Sequence, residues 1–453
     1  MKLGVVILAA GQGTRMNSSL PKVLHSLAEK PLLGHVIDTA RKTGAARIAV
    51  VYGHGGEQVP DSFPERDLVW VEQTERLGTG HAVEQALPAM EAMDRVLILY
   101  GDVPLIKEQT LGALMEAGKA SPLALLTVIL DDATGYGRIV RDSNASISRI
   151  VEQKDAGPDE LALHEINTGI MLVDGPKLGS WIARLDNNNA QGEFYLTDIV
   201  AMAVAEGAEV QSARPQDAFE VKGVNDKVQL AELERYLQRI RSEALMRKGV
   251  SLRDPARFDL RGTLTVGRDV ELDINVLIVG DVILGDNVRV GPNTVISNSR
   301  IGNGVVIFEN CVIDHAVVGD GGRIGPFARL RPNAELSENV HVGNFVEIKK
   351  SQVDVGSKIN HLSYIGDCTI GKAVNVGAGT ITCNYDGVNK YRTIIEDNAF
   401  IGSDTQLVAP VKVGAGATVG AGSTITKDVA PNSLALSRTQ QVGLVGWKKP
   451  QKK

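Results

Sequence analysis

Three cysteines in 453 residues are too few for a disulfide framework. Cys311, Cys368 and Cys383 also lack the tight spacing of a zinc site, and together they point to a reducing, cytoplasmic setting. No apolar run reaches the ~18 residues of a membrane span. The opening stretch, Met1–Ala10, has no charged region followed by a cleavage site, so no signal peptide is expected. A formal charge of −6 argues against a broad nucleic-acid surface. Aromatic residues make up only 4% of the chain. What is present is ordinary globular composition, 43% hydrophobic and 23% charged. At roughly 100–200 residues per domain the length predicts two or three domains. Lys448, Lys449, Lys452 and Lys453 form a basic end that reads as a solvated tail.

Glycine is over-represented, at 48 of 453 residues, and it is denser after residue 250. The two halves are therefore built differently. From Lys2 to about Asn225, short apolar runs alternate with helical segments. Val5–Ala10, Ile48–Tyr52, Leu68–Val71, Val96–Tyr100 and Leu123–Ile129 read as strands buried on both faces of a mostly parallel sheet. Leu32–Lys42 and Gly80–Ala89 read as helices between them, which predicts an open α/β domain over 1–226. Lys227–Arg247 carries Leu230, Leu233, Leu237, Ile240 and Leu245 at helical spacing among charges. It predicts a linker helix over 227–248.

From about Leu252 the period becomes six. Val318-Gly319, Ile324-Gly325, Leu330, Leu336, Val342-Gly343 and Ile348 form one such run, and Ile401-Gly402, Leu407, Val413-Gly414, Val419-Gly420 and Ile425 another. A strand alternates every two residues and a helix every 3.6. A six-residue repeat with a small residue after the apolar one is the hexapeptide pattern of a parallel β-helix, here over 249–453. The period breaks at Thr382–Thr393, so Cys383–Gly387 is expected to protrude as a loop.

Leu8-Ala9-Ala10-Gly11-Gln12-Gly13-Thr14-Arg15-Met16 follows the first strand, with Lys22 soon after. It fits neither the Rossmann fingerprint, which needs glycine where Met16 stands, nor the P-loop. Two glycines still suit a phosphate cradle, with a following helix pointing its positive end at the anion. A tight strand–helix turn is the plain alternative. Asp102 ends a buried strand, where it would either hold Mg²⁺ with nucleotide phosphates or cap the next helix.

In the repeat half, Arg331 and Lys349 lie 18 residues apart, one coil of three hexapeptides, so the two cations should stack. Stacked like charges need an anion nearby, either a sugar phosphate or a carboxylate. His361 lies on the next coil and reads as a surface or packed residue, or as a base. His315, His341 and His361 lack a close spacing, which disfavours zinc.

LAAGQGTRM, PKVL, Gln73 with LGTGHA, YGDVPL, TGYGRI, VEQKDA, EINTGI and GVND stand in one order. This set closely resembles the sugar-nucleotide pyrophosphorylases. With the hexapeptide half, the chain from Leu3 to about Arg438 resembles the bacterial family of bifunctional N-acetylglucosamine-1-phosphate uridylyltransferases and glucosamine-1-phosphate acetyltransferases. The resemblance implies an open nucleotide-binding sheet followed by a left-handed β-helix that forms a homotrimer with shared acyl sites. It implies that Leu8, Ala9, Ala10 and Gly11 hold the nucleotide, that Arg15 and Lys22 face phosphates, and that Gln73, Gly78 and Thr79 read uracil. Tyr100, Gly101, Gly137, Glu152 and Asn167 would surround sugar and ribose, and Asp102 with Asn225 would hold Mg²⁺. His361 would be the acetyl-transfer base, its ring oriented by Glu347. Arg331, Lys349, Tyr364, Asn375 and Lys390 would bind the sugar phosphate. Ala378, Asn384, Tyr385, Ser403, Ala421 and Arg438 would contact acetyl-CoA. The implied substrates are small molecules, UTP among them, with no nucleic acid and no membrane involved. The implied product serves cell-envelope polymers.

Overall fold

A computed structural model describes residues 1–53 and 55–450, and the chain divides into two compact units, Met1–Tyr236 and Leu237–Lys453. Lys452 and Lys453 of the basic end lie outside the described residues; Lys448 and Lys449 are exposed and belong to no helix or strand.

The first unit is organised by one sheet of nine strands. In chain order these are β1 (Leu3–Leu8), β2 (Arg47–Tyr52), β3 (Leu68–Glu72), β4 (Arg95–Tyr100), β5 (Leu123–Ile129), β6 (Arg138–Arg141), β7 (Ile147–Val151), β8 (Glu165–Asp174) and β9 (Gln211–Ala213). Across the sheet the order is β9-β5-β8-β4-β1-β2-β3, with β6 joined to β8 and β7 to β6. Every residue of β1 is buried. Its alternate side chains feed two cores: Val5 and Ile7 pack with Leu97 and Leu99 on one face, Val6 and Leu8 with Val96 and Ile98 on the other. That is why this stretch reads as a continuous apolar run rather than an alternating one. β1 pairs in parallel with both β2 and β4. The chain therefore departs to opposite sides of β1, and the crevice beyond the carboxyl ends of β1 and β4 is the place where an open α/β sheet accepts ligands.

Two features differ from the sequence reading. β8 runs antiparallel between β4 and β5, and β6 and β7 form an antiparallel pair. Apolar runs report burial on both faces and carry no information on direction. The segment after Gly13 is also not a helix long enough to carry a dipole, but a three-residue 3-10 turn, Thr14–Met16. Helices do occupy Leu32–Lys42 and Thr79–Met90.

Lys227–Arg247 is one helix of 21 residues, within which the division between the units falls. Beyond it the second unit is a parallel β-helix, with an 11-stranded and a 17-stranded sheet whose described pairings are all parallel. Inward side chains stack coil on coil: Val290 on Ile307, Ile307 on Ile324, Ile324 on Val342, Val342 on Ile359. One coil therefore takes 17 or 18 residues. At Lys372 the offset to the next coil grows to 25, and the extra residues form the loop after Cys383. Corners require left-handed backbone, which asparagine tolerates. Asn275, Asn293 and Asn310 hold φ of 58°, 58° and 59° at one corner, and their amides hydrogen-bond in a ladder at 2.9 and 3.3 Å. The next three coils place Phe327, Phe345 and Leu362 at this corner, with φ of 54°, 56° and 49°. Cys311 and Cys368 are buried free thiols, which burial pushes up to about 11 and about 12.

Glu165 on β8 is the hub of an ion-pair cluster. It accepts two hydrogen bonds from Arg141 and one from Thr127, each 2.8 Å, and one from Arg214 at 3.3 Å. Burial raises its carboxyl, yet these donors outweigh burial and hold it at about 2. A carboxyl depressed in the folded state stabilises above the ordinary carboxylate range, and that stability is lost as pH falls through the folded value. The first unit should thus lose melting temperature between about pH 4.5 and 2. Glu165→Gln should remove that part of the pH dependence and destabilise the unit by roughly 1–3 kcal/mol at neutral pH. Thermal melts of wild type and variant across this range check both outcomes.

Candidate active sites

In the first unit the carboxyl ends of β1 and β4 open into a cavity of about 530 Å³. Leu8, Ala9, Ala10, Gly11, Lys22, Gln73, Gly78, Thr79, Tyr100 and Asp102, all among the residues that the resemblance implies at a nucleotide site, line it. Gln12, Val23, Arg76, Ala82 and Glu193 line it too and were not expected. Glu193 lies far from any motif in sequence and arrives through backbone pairing, with Phe194 N–H donating to Leu77 at 2.7 Å and Gly80 N–H donating to Phe194 at 2.8 Å. A side chain at Gly78, where φ is 110°, would come within 2.6 Å of the Phe194 carbonyl, so this approach needs glycine. Gln73 is buried, and its amide nitrogen lies 3.2 Å from the Gly78 carbonyl and 3.0 Å from His81 Nδ1. Thr79 Oγ1 accepts from the Leu196 N–H at 3.1 Å. Arg15 is exposed on the 3-10 turn and does not line the cavity.

Asp102 is not a helix cap, since the next helix starts at Glu108 behind Lys107. Its carboxylate instead meets the Lys22 ammonium at 2.5 Å, and the same ammonium lies 3.3 Å from Asn225 Oδ1. The Asp102 carbonyl accepts from the Val224 N–H at 2.9 Å, which brings Asn225 here from the far end of the unit. A carboxylate and an amide oxygen thus already face one positive charge. Hard oxygen donors of this kind suit Mg²⁺, which takes one or two protein oxygens and completes its shell with phosphates and water. Among the described residues no group of three or more His, Cys, Asp or Glu is placed to hold a metal by itself.

Beside this cavity, β4, β6 and β8 bring the other expected residues together. The Tyr100 ring lies against Gly169, where a side chain would approach within 2.4 Å. Burial pushes the Tyr100 phenol up, aided by Glu152 and Asp102. Glu152 is raised by burial and accepts from Thr197 Oγ1 at 3.1 Å. Asn167 N–H donates to the Gly137 carbonyl at 2.9 Å, and Asn167 Oδ1 accepts from Gly169 N–H at 3.0 Å. A Cβ at Gly101 would sit 3.2 Å from Ala9, so the ends of β1 and β4 pack closely.

In the second unit the β-helix register gathers a cationic group. Leu330 pairs with Ile348, so Arg331 and Lys349 follow them at the same place on successive coils. Glu347 bonds Arg331 at 2.8 Å, which makes the carboxylate alternative part of the answer. Lys349 is held below its usual range by Lys390, by burial and by Arg331. The three cations outnumber the two carboxylates that act on them, Glu347 on Arg331 and Asp367 on Lys349, which leaves room for an anion. Tyr364 pairs with Glu347 across the coils, and its hydroxyl lies over Gly366. Asn375 follows Lys358 one coil on.

Glu347 does not orient His361. The imidazole Nδ1 lies 2.8 Å from Asn344 Oδ1, and Glu347 is committed to Arg331. Asn344 was missed, although it occupies the position of His361 one coil earlier. His315 is paired with Asp314 at 2.7 Å. In the loop, Asn384 bonds Asp367 at 2.5 Å, and Tyr385 is exposed and bridges to Lys390. Ala378 accepts from Asp404 N–H at 2.7 Å, next to Ser403, and Arg438 donates to the Ala421 carbonyl at 3.0 Å. The six residues expected at acetyl-CoA thus fall on consecutive coils and the loop between them.

Residues 5–148 match the model of a MobA-like NTP transferase domain. Residues 264–298 and 392–427 match that of the bacterial transferase hexapeptide, six repeats. Among curated proteins, the chain is 57% identical to "Bifunctional protein GlmU" of Methylococcus capsulatus, covering 100% of this chain and 98% of the relative. It is 56% identical to the protein of that name in Ralstonia nicotianae, covering 99% of each. It is also 56% identical to the one in Stutzerimonas stutzeri, covering 100% of each. Identity at this level, continuous through both halves, means that the chain belongs to the bifunctional GlmU family, enzymes that join a uridylyltransferase and a glucosamine-1-phosphate acetyltransferase in one polypeptide.

Proposed function

We propose that the two activities are carried by the two residue sets above, one in each unit. The supporting observation is the division of chemistry. The first set holds glycines, cations and a metal-competent carboxylate without a paired base, and the second holds an imidazole and a cationic group on neighbouring coils. The domain limits 1–226, 227–248 and 249–453 follow that division.

In the second unit the amine of glucosamine 1-phosphate attacks the carbonyl carbon of acetyl-CoA. The new C–N bond forms, the C–S bond breaks, and CoA leaves with the electron pair. His361 takes the proton from nitrogen, for which a side chain titrating near neutral pH is suited. Arg331, Lys349 and Lys390 neutralise the sugar phosphate, Tyr364 and Asn375 position it, and Ala378, Asn384, Tyr385, Ser403, Ala421 and Arg438 contact acetyl-CoA. In the first unit the phosphate of N-acetylglucosamine 1-phosphate attacks the α-phosphorus of UTP and pyrophosphate departs. The nucleophile is already an anion, so alignment and charge neutralisation dominate. Leu8, Ala9, Ala10 and Gly11 cradle the nucleotide, Gln73, Gly78 and Thr79 face its base, and Lys22 meets its phosphates, while Arg15, outside the cavity on the 3-10 turn, reaches only phosphates that extend beyond it. Tyr100, Gly101, Gly137, Glu152 and Asn167 surround the sugars. Asp102 and Asn225 are the residues that would hold Mg²⁺, which supplies further neutralisation of phosphate charge. UTP and acetyl-CoA are cytoplasmic metabolites, and the free thiols agree with that compartment.

The homotrimer is supported by the corner at Phe327, Phe345 and Leu362. These side chains are 48%, 54% and 62% exposed, and the two phenyl rings stack with centroids 5.1 Å apart. A bulky residue in left-handed backbone costs roughly 1–2 kcal/mol, and an exposed apolar ladder beside His361 gains that back when another copy covers it.

Asp102→Ala should abolish UDP-sugar formation and leave acetyl transfer intact, while His361→Ala should do the reverse. CoA and pyrophosphate release, read separately in one assay, check this. Loss of both activities in either folded variant would defeat the two-site reading. Phe345→Asp should yield monomers by light scattering, with acetyl transfer lost and uridylyl transfer kept.

A further inference from the structure

Asn344 ends the strand His341–Asn344, and His361 ends the strand Lys358–His361 one coil later. The two are register partners. The residue after each, Phe345 and Leu362, turns the same corner with left-handed φ, so both side chains sit at the same point of the coil. The link is double: His361 Nδ1 lies 2.8 Å from Asn344 Oδ1, and the Leu362 N–H donates to the Asn344 carbonyl at 3.0 Å. The coils are pressed together here. A Cβ at Gly343 would stand 1.9 Å from the Asn360 carbonyl oxygen, so only glycine allows this approach of the residues that precede Asn344 and His361.

We propose that Asn344 is a positioning residue for acetyl transfer: its amide oxygen accepts the Nδ1 proton of His361 and leaves the Nε2 lone pair facing the substrate amine. This rests on His361 being the acetyl-transfer base. A carbonyl oxygen accepts only if Nδ1 carries the proton, and a neutral imidazole protonated there has its basic lone pair on Nε2. An amide fixes this tautomer without adding charge. A carboxylate at the same distance would stabilise the imidazolium and leave less free base at neutral pH. The titratable groups on the elements around His361 are His341 on the preceding strand, Lys358 on its own, and Glu347, Lys349 and Tyr364 on the adjoining face. The strand Asn375–Val376 that follows has none. Glu347, the one carboxylate among them, is paired with Arg331 at 2.8 Å.

The test uses the full-length protein, with CoA release followed against pH and with uridylyl transfer as the report of an intact chain. Asn344→Ala should lower kcat for acetyl transfer about 10–100-fold with little change in KM for glucosamine 1-phosphate. Asn344→Asp should keep the ring oriented but move the acid limb of the pH–rate profile up by about one unit, with activity recovering at alkaline pH. Nitrogen-15 NMR of His361 should show the Nδ1-protonated tautomer in wild type and a mixture in Asn344→Ala. Wild-type kcat in Asn344→Ala, an unmoved limb in Asn344→Asp, or an Nε2-protonated ring in wild type would each overturn the proposal. His361→Ala separates the two levels. If it retains acetyl transfer, the base assignment falls and the proposal with it; if it is inactive while the Asn344 variants behave as wild type, only the role of Asn344 falls.

Discussion

Parallel pairing is the constraint on which both units depend. A strand in a parallel sheet spends its backbone donors and acceptors on its neighbours and its side chains on the core. Chemistry is then left to the points where strands stop. In the first unit those points are Leu8–Gly11 and Tyr100–Asp102, side by side because β1 and β4 are register partners as far as Leu8 and Tyr100. In the second they are the corners of the β-helix, where Asn344 and His361 follow one another. The same rule gives opposite geometries. A twisted open sheet gathers loops from distant parts of the sequence into a cavity, whereas a solenoid lines up residues 17 or 18 apart along a ridge.

This difference governs what can be read from the chain. The β-helix is legible because its period is short and each apolar residue stacks on the one a coil below. The stacking of Arg331 on Lys349 follows from counting, and the structure has that register. Asn344 was within reach of the same counting, since it precedes His361 by 17 positions. It was missed because asparagine is so common at these corners that one more draws no notice. Glu347 fails as the partner of His361 for a different reason. It and His361 lie on different strands facing different neighbours, and Arg331 offers a charge-assisted bond that a neutral ring cannot match.

In the first unit, β1, β2, β4 and the helix Leu32–Lys42 are legible from burial alone, but direction is not. β8 carries Asn167 and Gly169 up to Tyr100 while running antiparallel to its neighbours. No pattern of apolar residues distinguishes that from a parallel strand. The glycine loop misleads in a related way. Gly11 and Gly13 suggest a turn into a helix, yet the chain makes only a 3-10 turn there. Gly13 is needed instead because, at φ 61°, a side chain would meet Lys22 at 2.7 Å. Glycine here makes space for a cation directly and not for a helix dipole.

The two histidine pairs of the β-helix differ in what carries the oxygen that faces the ring. His315 and His361 both turn a nitrogen, Nδ1, toward a side-chain oxygen at 2.7 and 2.8 Å. For His315 the oxygen belongs to Asp314, which the ring helps hold below the usual carboxylate range, along with Ser297 and against the effect of burial. A carboxylate in that place brings a full negative charge to the ring. For His361 the oxygen belongs to an amide, which holds the ring without bringing a charge. Arg331, Lys349 and Lys390 form a cationic group of their own. An amide partner orders the ring without drawing on that cationic group, so the two parts of the proposed acetyl site do not compete for charge.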